Sequence, residues 1–208
     1  MICPDLIPKL LEDLVRIPSS TKVSNPYHDT SRLKNLEAYL NALCVSGWYS
    51  GHLFVGEAPG YKGCAITGIP FTSERVLRSG AHPFLSGLLP SLTLSGDVTE
   101  RSATIVWNVV SKRKSVPGFW NAFPFHPIND PPTRNPNRAP TQAEIAVGRP
   151  FLDSVVKILA PHTIVAVGNI ASRTTASAFP NLPQNVVSHP SFGGAAKFAS
   201  GFAALGIV

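Results

Sequence analysis

Leu53-Phe54-Val55-Gly56-Glu57-Ala58-Pro59-Gly60-Tyr61-Lys62-Gly63 is the stretch around which this chain is organised. A short apolar run ends abruptly in a loop rich in Gly and Pro. That pattern reads as a buried strand delivering a loop to the end of a sheet. In open α/β sheets, ligands sit at the carboxyl ends of the strands. The glycines allow close backbone approach or positive φ, and Glu57 places a carboxylate at the mouth of the strand. A tight turn with no ligand is the plain alternative. A phosphate cradle is a rival, but the stretch lacks the P-loop spacing and its Lys-Ser/Thr pair.

The 208 residues fit one α/β domain over 1–208. Hydrophobic residues make up 44%, enough for a sizeable core, whereas only 14% are charged and Pro occurs 20 times, which predicts long ordered loops. The formal net charge of +6 favours a polyanionic partner such as nucleic acid. The densest basic run, Lys112-Arg113-Lys114, also fits a solvated loop. The three cysteines, Cys3, Cys44 and Cys64, are widely spaced without a CxxC pair, so neither zinc nor an iron–sulfur cluster is indicated, and a reduced, cytoplasmic setting fits best. The amino terminus lacks the pattern of a signal peptide, and no apolar run reaches transmembrane length.

Along the chain, Leu6, Ile7, Leu10, Leu11 and Leu14 predict a helix over 4–16, and Leu33, Leu36, Leu40 and Leu43 a second over 31–44. A strand follows at 52–56, then a helix near 73–79 and a loop with short helical pieces over 84–97. Residues 98–111 are ambiguous: Thr99-Glu100-Arg101 reads as a helix start, but the β-branched Thr104, Ile105, Val106, Val109 and Val110 favour a strand over 103–110. The aromatic segment 118–127 leads into a polar loop, 128–140, carrying Arg134, Asn137 and Arg138. Thr141 and Glu144 form a capping-box pattern opening a helix to about 159, with a kink expected at Gly148 and Pro150. Strands at 163–168 and 185–188 alternate with helices at 169–178 and 195–204. The alternation implies a parallel sheet covered on both faces.

Three segments then match one pattern in order: Gly56-Glu57-Ala58-Pro59-Gly60 continuing to Gly68-Ile69-Pro70-Phe71-Thr72; Asn121 with Asn137-Arg138-Ala139-Pro140-Thr141; and His189-Pro190-Ser191. Over about 50–205 the chain resembles the uracil-DNA glycosylase superfamily. Gly56-Glu57 before Pro59-Gly60 is similar to family four, and Pro70-Phe71-Thr72-Ser73-Glu74 to family five. Family four carries an iron–sulfur cluster on four cysteines, which three scattered cysteines cannot reproduce. The resemblance implies a three-layer α/β/α fold around a mainly parallel four-stranded sheet, no metal and no cofactor.

It also implies roles. Phe71 matches the residue that stacks on the flipped base, and Asn121 the amide that reads the pyrimidine edge. His189 matches the donor to the carbonyl oxygen on which charge develops. Gly56, Ala58, Pro59 and Gly60 line the base, with loop amides helping to hold it. Ala58 stands where the best-known members carry Asp, so the water activator falls to Glu57, which resembles the family-four Glu, or to Glu74, at the family-five Asp position. The loop Ser191-Phe192-Gly193 is the candidate for opening the duplex, with Phe192 as wedge or as core residue. Arg138 and Lys197 are candidate phosphate contacts. His126, near the site in sequence, receives no role.

The expectation is a monomeric, monofunctional glycosylase acting on uracil in DNA, with other deaminated bases such as hypoxanthine or xanthine left open. The rivals are a uracil-DNA binder without turnover and a nucleotide-binding α/β protein.

Overall fold

The computed structural model describes residues 2–129, 137–191 and 193–208. After a 3-10 turn at Pro4–Leu6, helix α1 (Ile7–Arg16) buries Ile7, Leu10, Leu11 and Leu14 on one face, each worth about 1.5–3 kcal/mol of apolar burial. Helix α2 (Thr30–Val45) is capped by Asp29, whose carboxylate accepts from the Ser31 and Arg32 amides. Its Tyr39 hydroxyl accepts from the Phe119 amide at 2.7 Å. A two-residue strand, β1 (Val23–Ser24), lies between these helices and pairs antiparallel with β4 (His126–Pro127).

The main sheet contains β2 (Tyr49–Gly56), β3 (Val116–Asn121), β5 (Thr163–Val167) and β6 (Gln184–Val187) in the order β3-β2-β5-β6, all parallel. Leu53, Phe54 and Val55 point alternately to both faces and are all fully buried, so helices cover both sides. Between β2 and β3 come α3 (Cys64–Thr67), α4 (Glu74–Ser79), α5 (Pro83–Leu88) and α6 (Arg101–Val110). The later connections are α7 (Gln142–Leu159), α8 (Asn169–Ala178) and α9 (Ala195–Ala203). Helix α7 packs with α1 and α2, while α6 packs with α9.

The sequence placed a strand at 103–110; the structure makes it helix α6. Ala103, Val106, Trp107 and Val110 are its buried residues, a spacing of three and four that lays one apolar stripe on the core. That burial overrides the β preference of the branched side chains. The strand is instead β3, drawn from the aromatic segment, with all six residues buried. Pro117 is tolerated because β3 is an edge strand. Helix α7 continues through Gly148 and Pro150 to Leu159, as expected. Gly148 is a point of close approach: a Cβ there would lie 2.1 Å from the Ala122 carbonyl. Residues 84–97 do hold short helical pieces, α5 and a 3-10 turn at Leu89–Ser91. Arg134 lies outside the described residues, but Ile128 pairs with Asn137 across its loop.

Glu74 belongs to this scaffold. It is 1% exposed; its carboxylate accepts from the Gly96 amide at 2.6 Å, the Val98 amide at 3.1 Å and the Ser95 hydroxyl at 3.3 Å. Burial alone would raise its pKa, but these donors outweigh it and hold the group below the usual carboxylate value of 4.5. Glu74→Ala leaves two amides without their acceptor and is expected to cost about 2–3 kcal/mol in urea unfolding. Because the folded pKa is depressed, the difference between wild type and variant should be full above about pH 4.5 and shrink as pH falls through the folded value. A gap that is absent, or that does not change on acidification, contradicts this role.

Candidate active site

Strands β2 and β3 end together: Gly56 is the register partner of Asn121. The Ala122 amide donates to the Gly56 carbonyl at 2.8 Å, and the Phe123 amide to the Glu57 carbonyl at 3.1 Å, so the two chains leave the sheet tied. Asn121 is 4% exposed, and its side-chain amide makes no hydrogen bond among the described residues. Its polar atoms are open to the cleft, where a ligand or water can satisfy them.

The Phe71 ring lies across the same strand end. A Cβ on Gly56 would sit 2.5 Å from Phe71 Cζ and 2.8 Å from Asn121 Oδ1, so only glycine lets ring and amide close over this point. Phe71 has φ +55°, left-handed for a non-glycine residue, which stores about 1–3 kcal/mol of strain. The indole N–H of Trp107, from α6, holds that backbone by donating to the Phe71 carbonyl at 3.1 Å. The ring packs on Phe119 at 5.3 Å, and Thr67 and Thr72 join their hydroxyls below it at 2.8 Å.

The loop after Gly56 is fixed from two sides. The His126 Nδ1–H donates to the Pro59 carbonyl at 2.7 Å, and the Tyr61 amide donates to Asn137 Oδ1 at 3.0 Å. Burial pushes the His126 pKa down, with nearby Arg138 adding to the effect against the Pro59 bond, so the ring stays neutral. His126 thereby gains the role the sequence withheld, positioning Pro59.

On the far side of the sheet, β6 delivers His189. Its Nδ1 accepts from the Ser191 amide at 3.2 Å and lies 2.6 Å from the Ser191 hydroxyl. A ring nitrogen that accepts from an amide carries no proton, so in the neutral ring Nε2 bears the hydrogen. Desolvation by the cleft walls pushes the His189 pKa down and favours that neutral form. Gly168, at φ +88°, and Gly194 leave room around this turn; a Cβ on Gly194 would lie 2.0 Å from the His189 carbonyl.

These parts enclose a cleft of about 470 Å³ lined by Glu57, Ala58, Pro59, Gly60, Phe71, Asn121, His189 and Ser191, with Cys64, Glu100, Ser102, Asn137, Arg138 and Ala139. Glu57 is half-buried, makes no hydrogen bond through its carboxylate among the described residues, and has its pKa raised by that burial. Gly56 does not itself line the cleft; it lies against the Phe71 ring that does.

Other expected site residues fall elsewhere. Glu74 does not line the cleft. The Arg138 guanidinium touches the cleft, but its donors go to Glu144 in a paired ion bridge and to the carbonyls of Ile128, Lys22 and Ala139. It holds Glu144 down to about 2 and braces the loop, leaving no donor for a phosphate. Lys197 is exposed in the first turn of α9, and Gly193 is exposed at φ +82° beside it; neither lines the cleft. Phe192 lies outside the described residues. The Lys112–Lys114 run sits before β3, at the opposite end of the sheet. Glu100, Cys64 and Ser102 were missed as cleft residues. The capping pattern at Glu100 was visible, but a strand at 103–110 would have pointed it away.

Gly56→Ala should displace the Phe71 ring while the sheet stays intact, with overpacking of about 1–3 kcal/mol. Shifted Phe71 ring resonances with retained strand signals would bear this out; an unmoved ring at wild-type stability would contradict it.

A family model for the uracil DNA glycosylase superfamily matches residues 50–204, and no curated protein matches. The match takes in both the Gly56–Asn121 strand ends and the His189 turn. Among the described residues, no helix is long and apolar enough to cross a membrane. The parallel α/β sheet, the cleft at its carboxyl end and this match together lead to one conclusion: the chain belongs to the uracil-DNA glycosylase superfamily.

Proposed function

We propose that this chain is a monofunctional DNA glycosylase that takes uracil out of the helix and hydrolyses its N-glycosidic bond. Family membership supports glycosidic hydrolysis on DNA as the general activity. The observation that carries uracil is the Asn121 side-chain amide, without a partner among the described residues and close to the Phe71 ring at the same strand end. One amide offers both an acceptor for the uracil N3–H and a donor for O4, and the ring supplies a stacking face.

The remaining groups follow the charge. As the bond between C1′ and N1 breaks, its electron pair goes to the base and negative charge grows on O2. The His189 Nε2–H donates there, where a preformed donor does most for the transition state. A water oxygen bonds to C1′, and its proton passes to the Glu57 carboxylate. Uracil leaves as an anion held at O2 by His189, and the proton taken by Glu57 returns to it through solvent, giving free uracil and an abasic site. Ala58 offers no carboxylate, and Glu74 is held by the 95–98 loop, so of the two motif carboxyls Glu57 is the one assigned to the water. Lys197 and the Ser191–Gly193 turn are the proposed phosphate contacts, acting as a monomer.

Purified protein incubated with labelled DNA bearing one uracil should yield a strand break after alkali. His189→Ala and Asn121→Ala should each lower single-turnover excision by about 10²–10³-fold. Tight uracil-dependent binding without excision would instead make it a binder. Neither activity would refute the reading.

Glu57 must be ionised to take a proton, and burial raises its pKa. The acid limb of kcat/KM should therefore lie above the ordinary 4.5, and Glu57→Gln should remove the limb while lowering the plateau. A limb unchanged in the variant assigns the water to another group.

A further inference from the structure

Glu100 is a cleft carboxyl with no part in the reaction just described. It caps α6 with one oxygen: Oε2 accepts from the Ala103 amide at 3.3 Å. Among the described residues no hydrogen bond or ion pair reaches Oε1. A helix cap alone does not explain the residue, since Ser, Thr, Asp or Asn is favoured there. The longer Glu side chain carries its carboxyl into the cleft.

The loop is shaped to receive it. A Cβ on Gly60 would lie 2.4 Å from Oε1, and one on Gly63 would lie 2.6 Å from Oε2. Both positions lack a side chain where the carboxyl comes against the backbone. Cys64, which closes this end of the cleft, is buried and neutral, its thiol pushed up by burial. Glu57 and His189 stand on other walls of the same cleft. The carboxyl is partly exposed on the cleft lining, with Oε1 free of protein donors among the described residues, so it is placed to meet a ligand there.

The shape of the base supplies the partner. With Asn121 on the edge bearing O4 and N3, and His189 on O2, the edge of uracil left over carries only C–H bonds. A deaminated purine puts the ring nitrogen N7, a hydrogen-bond acceptor, on that edge. The cleft, at about 470 Å³, is within the ~300–1,000 Å³ range of sites for ligands larger than one ring.

We propose that Glu100 is a specificity-determining residue that contacts the base past Gly60, donating a hydrogen bond to N7 of a deaminated purine such as hypoxanthine. This rests on the glycosylase reading above. Burial pushes the Glu100 carboxyl up to about 7 against the opposing bond from Ala103, so near neutrality a large share carries the proton needed to donate. In the reaction, the bond between C1′ and N9 breaks with its pair going to the purine, and the Glu100 proton moves to N7. Water bonds to C1′ and gives its proton to Glu57. The purine leaves neutral, Glu100 ends ionised and Glu57 ends protonated, so the step consumes one water and balances.

The test compares single-turnover excision of hypoxanthine and of uracil, each as one lesion in the same DNA, by wild type, Glu100→Ala and Glu100→Gln. Glu100→Ala should lower the hypoxanthine-to-uracil ratio about tenfold, the loss of one hydrogen bond. Glu100→Gln, which keeps an N–H donor, should restore most of that ratio. A ratio unchanged in Glu100→Ala overturns the proposal and leaves Glu100 a structural cap. Uracil excision without any hypoxanthine excision by wild type overturns it too, while the uracil reading stands. Excision of neither base refutes the reading beneath. Because the readout is a ratio within each protein, a partly destabilised variant still decides it.

Discussion

Everything at the site depends on the closure at Gly56. Two parallel strands end in register there, Gly56 beside Asn121. The missing side chain lets the Phe71 ring and the Asn121 amide meet over the strand end. That arrangement is strained, since Phe71 adopts a left-handed backbone. It persists because Trp107 binds the Phe71 carbonyl and the ring packs on Phe119, with the neighbouring Thr72 tied to Thr67. Strain of this kind persists only where the surroundings over-determine it. The result is an aromatic face and a side-chain amide held close together at one strand end, on the wall of the cleft.

The carboxyl groups of this region are sorted by their surroundings. Glu74 and Glu144 are surrounded by donors, and both are held below the usual range. Glu57 lines the cleft with no partner for its carboxylate among the described residues, Glu100 with the Ala103 amide alone, and burial raises both. The first pair is fixed as anions and supports loops. The second pair titrates closer to neutrality, where a group can exchange a proton with a substrate. The sorting follows from the donors at each group: the 95–98 loop supplies them to Glu74, and the Arg138 guanidinium with the Thr141 amide supplies them to Glu144. It explains why two glutamates close to motif positions, Glu57 and Glu74, behave so differently.

Much of the fold and half of the site were legible in the sequence because they rest on short-range patterns. The Leu53–Gly63 run came through in a strand that begins three residues earlier than expected, and the α7 capping box and the strands near 163 and 185 with boundaries shifted by a residue or so. The exchange of α6 for a strand did not, because Thr104, Ile105, Val106, Val109 and Val110 favour β locally and only packing against α9 and the core decides for a helix. That error concealed Glu100. Arg138 shows a second limit. A motif marks its position, but its donors are taken by carbonyls of Lys22 and Ile128 that are distant in sequence or across the loop. His126 gained its role only once folding brought Pro59 to it.

The central claim is that the Gly56–Asn121 closure is a base-binding slot. A crystal structure of His189→Ala with DNA bearing one uracil tests it most directly. The account predicts an extruded uracil stacked on Phe71, its N3 and O4 edge on the Asn121 amide. A uracil still paired in the helix, or one seated away from Phe71 and Asn121, would contradict it.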